Sequence, residues 1–201
     1  MIRMLNRGEL HYFSLNSGQA SIEPASFGYI NSVLYGFRGW DRYILTEDDV
    51  LKEFLEYVIS RYCPDAFLTY LVIYVGGAGN VTDMLDQNAH EHFLAPSDHV
   101  IAVLDGDQRD FRRARHVNTY CIPIDSVEKS LLVEYEKAAF PHRLIDDAVI
   151  NGNPKKLFDE LLSQHLMSRA RIYEFLCDRH NAEVATFSVR LAQLLGVRTA
   201  S

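Results

Sequence analysis

The sequence predicts an α/β protein: a parallel sheet of about four strands flanked by helices, followed by a helical C-terminal extension. Three observations carry that expectation. Val100-Ile-Ala-Val-Leu104 is apolar without alternation, the pattern of a strand covered on both faces. Residues 41–125 alternate short apolar runs with helical periodicity, as βαβ units do. Residues 126–201 carry helical patterning throughout.

Residues 1–40 are rich in aromatic and small polar residues and show no clear period, so they read as an extension. Arg42–Thr46 is the first strand. Asp49–Arg61 follows as an amphipathic helix with Val50, Phe54, Leu55 and Val58 on one face. Residues 67–75 contain the second strand, and Gly76-Gly77-Ala78-Gly79 turns the chain into a helix starting near Asn80. Val100–Leu104 is the third strand; a short basic helix then leads to the fourth, Asn118–Ile122. Asp125-Ser-Val-Glu128 fits a capping box opening a helix to about Ala139. Asn153-Pro154 opens another, with Leu157, Leu161, Leu162 and Leu166 as its apolar stripe. There is no internal repeat and no low-complexity tract.

A chain of 201 residues suits one domain with appendages or two small ones. No apolar run approaches the length of a membrane span, so no membrane insertion is expected. Met1–Leu10 holds two Arg and a Glu with no apolar stretch behind it, unlike a signal peptide. Cys63, Cys121 and Cys177 lack metal-binding spacing and read as reduced thiols of a cytoplasmic protein. A net charge of −7 argues against holding nucleic acid by electrostatics alone. It leaves open a metal-dependent phosphotransfer enzyme, whose acidic site its ions neutralise.

The chemistry concentrates after the strands. Asp105 and Asp107 flank Gly106 where the third strand runs out, and open α/β sheets bind ligands at that edge. Converging acids repel unless a cation joins them, and hard oxygens suit Mg²⁺ or Mn²⁺. The plainer alternative is that Asp107 caps the next helix and Asp105 binds loop amides. Glu47 follows the first strand and would share the edge with Asp105 if the strands are neighbours. Alternatively, acids there favour the helix dipole, and Thr46 with Asp49 fits a capping box. The glycine turn has two readings, amides aimed at a phosphate or a wall of the site; with no Lys-Ser or Lys-Thr after it, it is no P-loop. Arg109, Arg112 and Arg113 share a helical face that either grips phosphates or is simply solvated. His90, His92 and His99 lack zinc spacing and are expected in solvent.

Together these motifs resemble the Toprim domain, and most of all the Toprim half of OLD-type ATPase–nucleases, several of which serve bacterial anti-phage defence. The residues that carry the likeness are Ile44-Leu-Thr-Glu-Asp-Asp49, Tyr74-Val-Gly-Gly-Ala-Gly-Asn-Val81, Val103-Leu-Asp-Gly-Asp-Gln-Arg109 and Ile122-Pro-Ile-Asp-Ser-Val-Glu128. The resemblance implies a Toprim-like catalytic core over residues 41–135 and a helical region over 136–201, with residues 1–40 an extension or a linker to an ATPase part. It implies a Mg²⁺- or Mn²⁺-dependent endonuclease acting on DNA or RNA, with Glu47, Asp105 and Asp107 as catalytic metal ligands and Glu128 serving a second ion. Lys155 and Lys156 would be transition-state cations, and Gly77 would shape the site wall.

One departure stands out: the commoner Glu-Gly-x-x-Asp form is replaced, with Asp48 at the glycine and Leu51 at the aspartate, so either Asp48 or Asp49 compensates or the second metal site is impaired. Phe13-Ser-Leu-Asn-Ser-Gly-Gln19 resembles the ABC-type signature, yet no Walker A motif exists, so the chain is not a complete ATPase; the segment is either a remnant of a larger ATPase–Toprim architecture, with an ATPase domain or subunit as partner, or, the preferred reading, a polar loop. A homo-oligomer is compatible with all of this. The rival expectation is a non-catalytic Toprim-fold interaction subunit of a defence or repair complex. A phosphatase-like reading would need an Asp nucleophile after strand one, where Glu47 stands instead.

Overall fold

Four apolar runs pair side by side in one direction, and their neighbours in sequence coil over the two faces they create. A computed structural model describes residues 11–16, 19–24, 40–66, 68–111, 117–137 and 144–196. Near the N-terminus β1 (His11–Asn16) and β2 (Gln19–Pro24) form an antiparallel hairpin in which Asn16 faces Gln19. The main sheet contains β3 (Arg42–Thr46), β4 (Tyr70–Tyr74), β5 (Val100–Leu104) and β6 (Thr119–Cys121), all parallel, in the order β4-β3-β5-β6. Seven helices accompany it among the described residues: α1 (Asp49–Tyr62), α2 (Ala78–Glu91), α3 (Val127–Glu136), α4 (Asp147–Ile150), α5 (Pro154–Ser163), α6 (Arg169–Arg179) and α7 (Asn181–Leu194). This is the α/β arrangement expected, with a helical C-terminal part.

Strand residues alternate between two cores, because successive side chains leave opposite faces of a strand. Ile44, Ile101 and Val103 face α1, α3, α5, α6 and α7, where Phe54, Leu131, Leu157, Leu176 and Val184 are buried. Tyr43, Leu45, Val100, Ala102 and Leu104 face α2 through Ala78, Val81 and Leu85. All five β5 residues are buried, which is why that run shows no alternation. The C-terminal helices share the first core with the sheet, so residues 144–196 pack as part of the same body.

Several boundaries differ from the sequence expectation for local reasons. The cap of α1 is Asp48, whose Oδ1 accepts from the Leu51 amide at 2.9 Å, while the Thr46 hydroxyl donates to the Asp48 carbonyl. The Thr46–Asp49 capping box therefore does not form. The cap of α3 is Ser126, whose Oγ accepts from the Lys129 amide, rather than Asp125. Asn118 sits in the left-handed region at φ 63°, so β6 begins one residue later. Helix α2 starts at Ala78, two residues early. Asn153 caps α5 with Pro154 in its first turn, as expected, but the helix ends at Ser163 and leaves Leu166 exposed. Residues 112–116, which hold most of the expected basic helix and Arg112, lie outside the described residues.

Chain order reverses between β3 and β5. The connection from β3 places β4 on one side, and the next crossover carries the chain back to place β5 on the other. Open α/β sheets form their crevice at the carboxyl ends flanking such a reversal. Glu47 and Asp105 are the first residues beyond those two strand ends. No helix among the described residues is long and apolar enough to cross a membrane.

Candidate metal centre

Glu47 is held from both sides. Its carbonyl accepts the Gly76 and Gly77 amides at 3.0 and 2.9 Å, and both glycines have φ +85°, a backbone that side chains rarely tolerate. Asn80 Nδ2 donates to the Gly76 carbonyl at 2.5 Å and pins the turn. The glycine amides are thus spent on the Glu47 backbone, which favours the site-wall reading over a phosphate cradle. The Glu47 carboxylate in turn accepts the Asp105 amide at 3.0 Å, tying the ends of β3 and β5 together.

Gly106 answers to a close backbone approach. A Cβ there would stand 2.0 Å from the Ile124 carbonyl oxygen and 2.8 Å from that of Ile122. The Gly106 and Asp107 amides donate to the Ile124 and Asp125 carbonyls at 3.1 and 2.9 Å. The Asp-Gly-Asp segment is therefore stitched to the loop after β6, which ends at the Ser126 cap and leads into α3, where Glu128 sits in the first turn.

The acids share one cavity of 610 Å³. Glu47, Asp48, Gly76 and Gly77 line one side; Asp105, Asp107 and Gln108 the second; Ser126, Glu128 and Lys129 the third; Asn153, Pro154 and Lys155 close it. Burial, followed by repulsion from Glu47, Asp48, Glu128 and Asp107, pushes the Asp105 carboxyl up to about 8. Burial also raises Glu128, which is 8% exposed. No described residue donates a hydrogen bond to the Asp105 carboxylate. Asp107 accepts from Gln108 Nε2 at 2.8 Å and from Lys129 Nζ at 2.6 Å, a contact that raises the Lys129 ammonium.

The oxygen-only donor set suits a hard divalent cation. Among the described residues, however, no three His, Cys, Asp or Glu side chains are arranged to hold a metal ion. The contacts explain this in part: Lys129 draws one oxygen of Asp107, and Asp48 spends one oxygen on its cap.

Other expected residues fall outside the cavity. Asp49 bonds Arg169 at 3.0 Å on the exposed side of α1, so it does not compensate for Leu51, which is itself 1% exposed in the core. Lys155 lines the cavity, whereas Lys156 does not. Arg109 turns away, donating to the Ile122 and Pro123 carbonyls. His90 and His92 are exposed, and Cys63, Cys121 and Cys177 are free thiols. Sequence reasoning missed Ser126, Lys129, Gln108 and Asn153. Asn153 and Ser126 carried a signal only as helix-cap residues, and none of the four carried one for the cavity.

No family model matches the chain, no curated protein matches it, and no solved structure matches it.

Proposed function

We propose that the chain is a Mg²⁺- or Mn²⁺-dependent nuclease that hydrolyses phosphodiester bonds of DNA or RNA through a Toprim-type Glu/Asp-x-Asp site. The observation that carries this reading is Asp105: a part-buried carboxylate at the sheet's switch point, given no hydrogen bond by any described residue and surrounded by four other acids. Such a cluster gains most from a divalent cation. Glu47, Asp105 and Asp107 would hold the ion, with Glu128 and Asp48 on the adjoining walls for a second. A bound ion supplies the charge that activates water and stabilises the leaving oxygen.

The residues of the chain do the rest. Glu47, locked by the glycine turn and the Asp105 amide, keeps its carboxylate at the β5 end. Lys155, at the start of α5, offers a cation across the cavity to a phosphate oxygen. An ATPase partner and a role in anti-phage defence rest on the likeness to OLD-type proteins.

The test is incubation with plasmid, single-stranded DNA and RNA under Mg²⁺, Mn²⁺ or chelator. Metal-dependent cutting that Glu47→Ala and Asp105→Ala abolish is the expected result; equal cutting by both variants refutes it. A non-catalytic interaction subunit is the second reading. It is favoured by the buried Leu51 at the family's aspartate position and by Lys129 on Asp107.

A further inference from the structure

A second cavity, of 490 Å³, lies between the end of β6 with the loop after it and helix α7. Arg109, Cys121 and Pro123 line one wall; Glu183, Thr186 and Arg190 line the other. Its two arginines differ from several others in the molecule. Arg61, Arg169, Arg171 and Arg179 are each paired with a carboxylate, on Asp178, on Asp49 and Glu53, on Glu174 and on Glu134 respectively. Arg109 and Arg190 have no acid partner among the described residues. Neutral groups hold them instead. Arg109 donates to the Ile122 and Pro123 carbonyls at 2.9 and 3.3 Å, and the Arg190 guanidinium lies 5.8 Å over the Tyr120 ring.

We infer that this groove is a subsite for a backbone phosphate of a nucleic-acid strand whose neighbouring phosphodiester lies in the acidic cavity. The inference rests on the nuclease reading. Two planar guanidiniums held in place suit phosphate oxygens, since each presents several fixed donors. Arg109 follows Asp107 by two residues, so one extended polyanion can span both cavities. The Tyr120 ring, under the Arg190 guanidinium, helps to hold that cation at the groove. Glu183 works against the anion: its exposed carboxylate lines the same groove with no ion pair among the described residues, and it weakens binding.

The experiment measures binding of a fluorescein-labelled oligothymidylate to the full chain by anisotropy, with Ca²⁺ as the divalent ion and NaCl varied. Arg190 is exposed on α7, so Arg190→Ala keeps the fold, which its melting curve checks. The expected result is binding about 5- to 10-fold weaker, with a salt dependence reduced by about one charge. Glu183→Gln is expected to tighten binding about threefold. Arg171→Ala, on the far pair with Glu174, changes it less than about twofold. Unchanged affinity and salt slope in Arg190→Ala overturns the inference, as does no binding by the wild type. Displacement by thymidine monophosphate at equal phosphate concentration also overturns it, in favour of a small phosphorylated ligand. If Glu47→Ala abolishes cutting while Arg190→Ala binds normally, the subsite falls and the nuclease stands. If nothing is cut but Arg190→Ala binds weakly, the subsite stands and the nuclease falls.

Discussion

Replacing Asp105 by asparagine should stabilise the metal-free protein above neutral pH. The carboxyl is raised from 3.8 to about 8, so between those values the unfolded chain has released its proton while the folded chain keeps it. Stability attached to this group is therefore complete below the unfolded value and is lost as pH rises towards the folded one. Each pH unit in that window removes up to about 1.4 kcal/mol. From pH 5 to pH 8 the ceiling is about 4 kcal/mol; the cavity is open to water, which screens the charges, so roughly 2 kcal/mol is expected. Asparagine keeps the size and cannot ionise, so Asp105→Asn escapes the loss. Urea unfolding in chelator at the two pH values measures it: the variant's excess stability should grow by that amount. Mn²⁺ should restore wild-type stability at pH 8 and leave the variant unchanged. Parallel pH curves, or a variant less stable than wild type at pH 8, would refute the electrostatic account of this site.

Three further outcomes follow from contacts elsewhere. Lys129→Met frees the Asp107 carboxylate from a half-exposed ion pair worth about 1 kcal/mol, so Mn²⁺ should bind about fivefold tighter by calorimetry. Equal or weaker binding shows that Lys129 does not compete. Gly106→Ala drives a methyl group into the Ile124 carbonyl and should cost about 3 kcal/mol or more in urea unfolding; a variant as stable as wild type contradicts the close approach. Phe54→Ala empties a fully buried position in contact with Tyr173 and should cost about 3–5 kcal/mol, whereas a loss below about 1 kcal/mol would place Phe54 outside the core.

The strands of the main sheet were legible because burial on two faces leaves an uninterrupted apolar run, and β5 carries that pattern in all five residues. The N-terminal hairpin was legible in principle and missed: Phe13 and Leu15 alternate with polar residues, as do Ala20 and Ile22, on either side of Ser17-Gly18. Two caps were assigned one or two residues from where they form, because Thr46, Asp48, Asp125 and Ser126 are all competent acceptors. Which one is used depends on the exit angle of the preceding strand or loop. Nothing local to Gly106 announces the Ile124 carbonyl against it.

Local periodicity and residue chemistry by themselves determined the element types, the parallel sheet and the acids at its edge. The tertiary structure alone decided that β5 lies beside β3, which brings Glu47 to the Asp105 amide across 58 residues of chain. It also decided that Lys129 meets Asp107 and that Asp49 and Leu51 leave the cavity. The physical reason is that sequence spacing records which face of a strand or helix a residue occupies. Distances between loops depend instead on the order in which crossovers lay the strands side by side.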